Sequence, residues 1–336
     1  MPKIAIVGAT GAVGEEMIRC LEQRSFPIDE LRLLASARSA GKRLHFRDDE
    51  LEVRELTHNS FTDIDIALFS AGGSISRTFA PSAASAGAIV IDNSSTFRMD
   101  DDVPLVIPEI NPTSALQHPR NIIANPNCTT IVALMAIAPL HHAFGVTSVL
   151  GSSYQAVSGS GAMGIHELQS QMEQWTASQP IQAQHYPRQI LSNVIPLIGS
   201  PTDNGYTDEE MKLHHEGGKI LNHPDLRAAI TCVRVPVFRS HSVSLTIQCR
   251  DPITPDAARE TLGRAAGIRV VDDPAHGIFP TPLDCSHGDD CLVGRIRTDL
   301  VLDNAIALWV VGDQVRKGAA LNAVQIAELL LAAPSS

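Results

Sequence analysis

The sequence predicts an α/β N-terminal domain built on a parallel sheet, followed by an α+β domain with a more open sheet. Three observations predict it. Short, fully apolar runs alternate with helical patterns through the first third of the chain. After about Asn125 that texture gives way to strands of alternating polarity. The length of 336 residues, at ~150 residues per domain, suits two domains.

Ile4-Ala-Ile-Val7 reads as a buried strand, and Val13, Met17, Cys20 and Leu21 then recur at the spacing of one helix face. Leu31 to Leu34, Ile66 to Phe69 and Ala88 to Ile91 are further strands. Strand, helix, strand in this order favours parallel pairing through crossover helices. Ile131 to Phe144 is apolar enough for a buried helix. Ile230 to Val237 and Val243 to Cys249 alternate, as a half-exposed sheet requires. Thr207-Asp-Glu-Glu210 is a capping box opening a helix that carries Glu216, and Ala319 to Leu331 is a last amphipathic helix. The expected domains are 1–127 and 128–314, with the C-terminal segment 315–336 returning to the first.

Lys and Arg number 26 against 37 Asp and Glu, a net charge of −11. That field repels a nucleic-acid backbone, yet a few well-placed arginines can still hold a small anion. The longest apolar run, Ile131 to Leu140, is about half a membrane span. Met1-Pro-Lys3 leads into the first strand with no signal-peptide pattern. Cys20, Cys128, Cys232, Cys249, Cys285 and Cys291 include no CxxC pair and read as reduced thiols. The expectation is a cytoplasmic protein with no nucleic-acid or membrane partner.

Gly8-Ala-Thr10-Gly11-Ala12-Val13-Gly14 stands between the first strand and the first helix. Glycines there allow a tight turn and close backbone approach, so that a pyrophosphate can rest on the helix N-terminus. This is a Rossmann-like dinucleotide-binding arrangement, with G-x-x-G-x-x-G spacing. At the end of the second strand the chain reads Leu34-Ala-Ser36-Ala-Arg38-Ser39, without the acid that grips a ribose 2′-hydroxyl. An arginine beside two hydroxyls suits a 2′-phosphate and favours NADP over NAD.

Asn125-Pro-Asn127-Cys128-Thr-Thr130 immediately precedes the apolar helix. A thiol at a helix N-terminus is shifted toward thiolate by the dipole and the unpaired N–H groups. Other signals are weaker when taken singly. Ser153-Tyr-Gln155-Ala-Val-Ser158-Gly159-Ser-Gly161 is a strand running into a glycine turn that can offer an amide and backbone donors. His241 follows Arg234-Val-Pro-Val-Phe-Arg239-Ser; a histidine can shuttle a proton and an arginine can fork a carboxylate, although a lone histidine is more often structural. Glu216 and Lys219 share a helix face, where a surface pair is the plain reading. Arg98 precedes Asp100, Asp101 and Asp102, which it would neutralise. His276, Cys285, His287, Asp289, Asp290 and Cys291 match no ligand spacing, and no metal is expected. No tyrosine has a lysine four residues on: Tyr154, Tyr186 and Tyr206 are followed there by Ser158, Ile190 and Glu210, which excludes a short-chain reductase.

Taken in order, these residues resemble the aspartate-semialdehyde dehydrogenase family over essentially the whole chain. The resemblance rests on Gly8-Ala-Thr-Gly-Ala-Val-Gly14, Ser36-Ala-Arg-Ser-Ala-Gly41, Asp92-Asn-Ser-Ser95, Val103-Pro-Leu-Val-Ile-Pro-Glu-Ile-Asn111 and Asn125-Pro-Asn-Cys-Thr-Thr130. It continues through Tyr154-Gln-Ala-Val-Ser-Gly-Ser-Gly161, Glu216-x-x-Lys219, Arg234-Val-Pro-Val-Phe and Ser240-His241-Ser. It implies NADPH-dependent reductive dephosphorylation of L-4-aspartyl phosphate to L-aspartate 4-semialdehyde, feeding lysine (through diaminopimelate), threonine and methionine synthesis. It further implies Cys128 as nucleophile, His241 as acid/base and Gln155 as the residue orienting the substrate. By the same resemblance Arg234 and Glu216 grip the substrate, while Arg98 and Lys219 form the phosphate site, with Asn127 close by as a further substrate-binding residue. Cofactor contacts would fall on Gly8, Thr10, Gly11, Ala12, Val13, Ser36, Arg38, Ser39, Ser158, Gly159 and Asn304. A homodimer, or a pair of dimers, is implied. Cys285 and Cys291 are not typical of the family, whereas a paralogous group without the nucleophile is excluded by Cys128.

Overall fold

In the computed structural model, which describes residues 1–332, the apolar run at the start forms β1 (Lys3–Val7), whose last four residues are buried. Burial on both faces explains why it is continuously apolar. It is followed by α1 (Ala12–Gln23), β2 (Glu30–Ala35), β3 (Arg43–Phe46), β4 (Asp49–Glu55), β5 (Ile66–Phe69), α2 (Gly73–Ser85), β6 (Ile89–Asp92) and β7 (Ile122–Ala124). The sheet order is β3-β4-β2-β1-β5-β6-β7. Every pairing is parallel except the β3–β4 hairpin. That hairpin was not foreseen. Its turn residue Arg47 has a positive φ of 56°, and its strands are mostly charged and exposed.

The second part of the chain opens with α3 (Cys128–Phe144), in which every residue from Thr129 to Leu140 except Pro139 is buried. Then come β8 (Val146–Gln155), α4 (Gly161–Thr176), α5 (Asp208–Ile220), β9 (Arg227–Arg234), β10 (His241–Cys249), α6 (Pro255–Gly263), β11 (Ile268–Val270), α7 (Pro282–Cys285), β12 (Cys291–Thr298) and β13 (Ala305–Gly312). They build a mixed six-stranded sheet in the order β11-β12-β13-β10-β8-β9. β9 stops three residues short of the expected end, because Pro236 has no N–H to give the ladder. Successive residues face opposite sides. One side, with Val149, Ile230, Val243, Leu245 and Ile247, is buried and packs on α3. The other side, with Leu150, Tyr154, Thr231 and Thr246, is open.

The last helix, α8 (Leu321–Ala332), adds Leu321, Val324, Ile326 and Ala327 to the core formed by Ile4, Ile6, Met17, Leu21, Leu33 and Leu68. The chain accordingly divides into two units, Met1–Asn127 with the segment from Ala319 onward, and Cys128–Gly318. The return begins at Ala319 and not at 315. The buried Asp313 carboxylate accepts hydrogen bonds from the amides of Val315 and Arg316, and its carbonyl accepts one from Gly318, which keeps those residues in the second unit. The final four residues of the expected segment, 333–336, lie outside the described residues. No described helix is long and apolar enough to cross a membrane.

Candidate active site

In the first unit the glycine loop follows β1. Gly8 adopts φ +87°, donates its N–H to Leu34 O at 2.8 Å, and leaves no room for a Cβ beside Ser70 O. A Cβ on Gly14 would collide with Gly8 O. Gly11 is the N-cap of α1 and supplies no side-chain cap, so the first helical N–H groups face outward without a competing hydroxyl or carboxylate. Thr10 Oγ1 reaches Ser39 Oγ at 3.4 Å, joining this loop to the turn after β2. Ser36 and Arg38 are exposed on that turn, and Arg38 has no ion-pair or hydrogen-bond partner among the described residues. The residues therefore fit a dinucleotide: helix amides for a pyrophosphate, and a free guanidinium where an acid would otherwise stand.

Arg98, also in this unit, is buried. It donates to Asn125 O at 2.9 Å and Asn93 O at 2.8 Å. Arg120 binds the acidic run, reaching Asp100 at 2.7 Å and Asp102 at 3.1 Å. Asn127 ends the first segment of this unit and is buried.

In the second unit strand register does the assembling. Gln155, the last residue of β8, pairs with Arg234, the last of β9. The first residue of β10, His241, stands one place past Ser242, which pairs with Tyr154. Gln155, Arg234 and His241 therefore share one end of the sheet and the same face, the one covered by α3. All three are buried.

His241 Nδ1 accepts the Ala156 N–H at 3.1 Å, which places the proton of the neutral ring on Nε2. Nε2 is buried and has no hydrogen-bond partner among the described residues. Burial, and secondarily the charge of Arg234, hold this imidazole well below the usual histidine range. Arg234 Nη1 donates to Ala156 O at 2.8 Å while its Nε has no partner among the described residues. Gly159 lies against both groups: a Cβ there would sit 2.8 Å from Arg234 Nη1 and 3.1 Å from His241 Nε2.

Cys128 opens α3 and is the one partly exposed cysteine; the other five are buried. Gly318 packs on it, since a Cβ on Gly318 would be 3.0 Å from Cys128 Cβ and 3.4 Å from Gln314 Cβ. Gln314 links onward. Its Nε2 donates to Ser158 Oγ, and its Oε1 accepts the Ser240 N–H at 2.8 Å. Burial pushes the neighbouring Cys232 thiol up to about 12, with smaller upward pushes from Glu209, Glu210 and Cys128. Thus one of these two thiols is kept protonated while the other starts a helix.

The capping box of α5 forms as expected, Thr207 Oγ1 accepting from Glu210 N at 3.2 Å. Glu210 Oε1 also accepts the Cys232 N–H at 3.0 Å, tying α5 to β9. Glu216 is buried on α5 and Lys219 is half-buried one turn later. Asn304 is a correction. It precedes β13, whose opposite end, Gly312, pairs with His241. The eight residues of the strand separate the two ends by about 24 Å. The buried amide that does meet Ser158 is Gln314, and the sequence reading missed it.

The surroundings of Cys285 and Cys291 are ordinary. Cys285 Sγ donates to Asp290 O and Val311 O, His276 pairs with Asp273, and Asp289 pairs with Arg316.

A glycine-loop nucleotide unit followed by a unit with a helix-borne thiol defines the class. Residues 3–118 match the family model for the semialdehyde dehydrogenase NAD-binding domain, and residues 137–317 match the dimerisation domain of the same enzymes. The aspartate-semialdehyde dehydrogenase of Aquifex aeolicus is 48% identical over 332 residues, 98% of each chain. A crystal structure of aspartate semialdehyde dehydrogenase II from Vibrio cholerae, complexed with ASA, superimposes with a TM-score of 0.96 at 46% identity, covering 99% of this chain and 98% of that one. An enzyme of the same name from Candida albicans, solved with NADP, gives 0.76 at 25% identity over 99% of both chains. The chain belongs to the aspartate-semialdehyde dehydrogenase family, a family of oxidoreductases.

Proposed function

We propose that this protein converts L-4-aspartyl phosphate to L-aspartate 4-semialdehyde and phosphate with NADPH, through an acyl-thioester on Cys128. The reading is carried by the register that brings Gln155, Arg234 and His241 to one sheet end, joined through Ser240, Gln314 and Gly318 to the start of α3. The thiolate, favoured by the helix N-terminus, adds to the acyl carbon; the carbon–oxygen bond to phosphate breaks, and phosphate leaves with the electron pair. NADPH, when bound, supplies the hydride that reduces the thioester carbon. Collapse of the resulting thiohemiacetal breaks the C–S bond, releasing aldehyde and returning the thiolate.

His241 serves as acid and base in this scheme because it is neutral with its proton on Nε2. It can hand that proton to the oxygen that gains charge and recover it on collapse. Arg234 offers a guanidinium anchored at one nitrogen, leaving the fork for the substrate carboxylate. Glu216 takes the amino group, and Arg98, Asn127 and Lys219 take phosphate. Gly8, Thr10, Gly11, Ala12, Val13, Ser36, Arg38, Ser39, Ser158 and Gly159 hold NADP, with Gln314 in place of Asn304. In this reading 1–127, with the segment from Ala319 onward, is the NADP-binding domain and 128–318 the catalytic and dimerisation domain.

The protein is further read as a cytoplasmic homodimer, with pairs of dimers as the next assembly, serving lysine, diaminopimelate, threonine and methionine synthesis. The open sheet face is the dimerisation surface: Leu150 and Tyr154 are exposed there, and Tyr154 leans on Trp309 with ring centroids 5.2 Å apart.

The test is reduction of NADP by L-aspartate semialdehyde, with and without phosphate. A phosphate-dependent signal that is lost in Cys128→Ser supports substrate and covalent route together. NADP binding without turnover would refute the substrate, and acetylated glutamate semialdehyde becomes the next compound to try.

A further inference from the structure

The geometry points to Glu209 as a positioning residue that decides which end of the Gln155 side-chain amide faces the substrate. The inference deepens the functional reading above and rests on it. Glu209 stands in the first turn of α5, which Glu210 ties to β9 beside the strand end bearing Gln155. Its Oε1 is 3.3 Å from Gln155 Nε2, and its Oε2 accepts from Lys212 Nζ at 2.6 Å, one turn along the same helix. The other donor of Gln155 Nε2 goes to the buried Ser153 Oγ at 3.2 Å, two residues back on β8.

A carboxylate only accepts. The Gln155 amide therefore turns its NH2 toward Glu209, both its protons are engaged inside the protein, and Oε1 has no partner among the described residues. Gln155 is thus an acceptor toward the substrate and not an oxyanion donor. It suits a group that carries a proton, such as a hydroxyl or an ammonium. Lys212 keeps Glu209 from swinging away, so the orientation is fixed before substrate arrives, which is where a positioning group has its effect.

Glu209→Gln tests this, because a second amide can face Gln155 with either end and frees it to flip. With L-aspartate semialdehyde, NADP and phosphate, kcat should fall about 10-fold while KM for NADP stays within twofold of wild type. In a Gln155→Ala background the same substitution should add less than a twofold loss, since nothing remains to orient. Glu209→Asp, which keeps an acceptor, should recover part of the loss. Selective 15N-glutamine labelling gives a readout independent of turnover: the Gln155 side-chain resonances should move and exchange faster in Glu209→Gln.

Equal losses in both backgrounds, or wild-type kcat with unmoved Gln155 resonances, would overturn the assignment while leaving the enzyme's activity established. A wild-type protein without turnover would instead overturn the functional reading, and with it this assignment.

Discussion

Gly159→Ala isolates the geometry of the site from the stability of the fold. Gly159 does not have a positive φ, so its backbone accepts alanine. The added Cβ would lie 2.8 Å from Arg234 Nη1, 3.0 Å from His241 Cε1 and 3.1 Å from His241 Nε2. Ordinary contact is about 3.5–4 Å, so the guanidinium tip must retreat by ~0.7 Å or more and the imidazole by somewhat less. Arg234 Nη1 is also the atom that donates to Ala156 O at 2.8 Å, so its retreat loosens the anchor. A displacement of about 1 Å at reacting groups costs on the order of 100-fold in rate. Phosphate-dependent NADP reduction by aspartate semialdehyde should accordingly show kcat/KM down by about that factor, with a thermal midpoint within a few degrees of wild type. Wild-type kcat/KM in Gly159→Ala would refute the convergence of Arg234 and His241 on this residue.

Gly14→Ala should cripple the nucleotide loop, because its Cβ meets Gly8 O; overpacking of this kind destabilises by about 1–3 kcal/mol, and both a lower thermal midpoint and weaker NADP binding are expected. Burial keeps His241 neutral well below the ordinary range, so the unfolded chain binds the extra proton. Stability from this group is complete above the unfolded pKa, about 6.5, and is lost as pH falls below it. Urea midpoints between pH 5 and 7.5 should drop toward acid, and the drop should be shallower in His241→Asn. Asp313 is fully buried and accepts from Arg239 Nε at 2.6 Å, His287 N at 2.7 Å, and the Val315 and Arg316 amides. Asp313→Ala should therefore cost about 3–5 kcal/mol in denaturant unfolding, since it leaves Arg239 with a lost partner.

The chemistry was more legible than its surroundings. Gly8 to Gly14, Cys128 at a helix start and the Thr207 capping box are local signals, each carried by neighbours in sequence, and each formed. Strand parity was also partly legible, since β10 alternates from Val243 onward. Which strands adjoin was not, because β9 pairs parallel to β8 across two intervening helices, α4 and α5, and the loops around them, and no local pattern encodes that. The β3–β4 hairpin lacks Asn-Gly turn chemistry and has few apolar residues to reveal its period. Asn304 and Gln314 illustrate the same limit. Both are amides near the last strand, and only the direction of β13 tells which end lies beside His241. Arg120, distant in sequence from the acidic run, gave no local sign that it binds Asp100 and Asp102. Glu209 gave no signal because its role lies in which end of another residue's amide it faces.

The buried helix α3 makes the position of the thiol a property of the core. Cys128 is the first residue of a rod of 17 residues that is packed on nearly every side. Each residue of a helix turns the chain by about 100° and advances it by ~1.5 Å. One residue inserted or deleted within α3 would either swing Cys128 about a quarter turn away from Gly318 or force the whole apolar rod out of register with the sheet. Length variation is thus closed to this helix while remaining open to surface segments such as the β3–β4 turn. The reach of the nucleophile is set by packing that has no chemical role of its own.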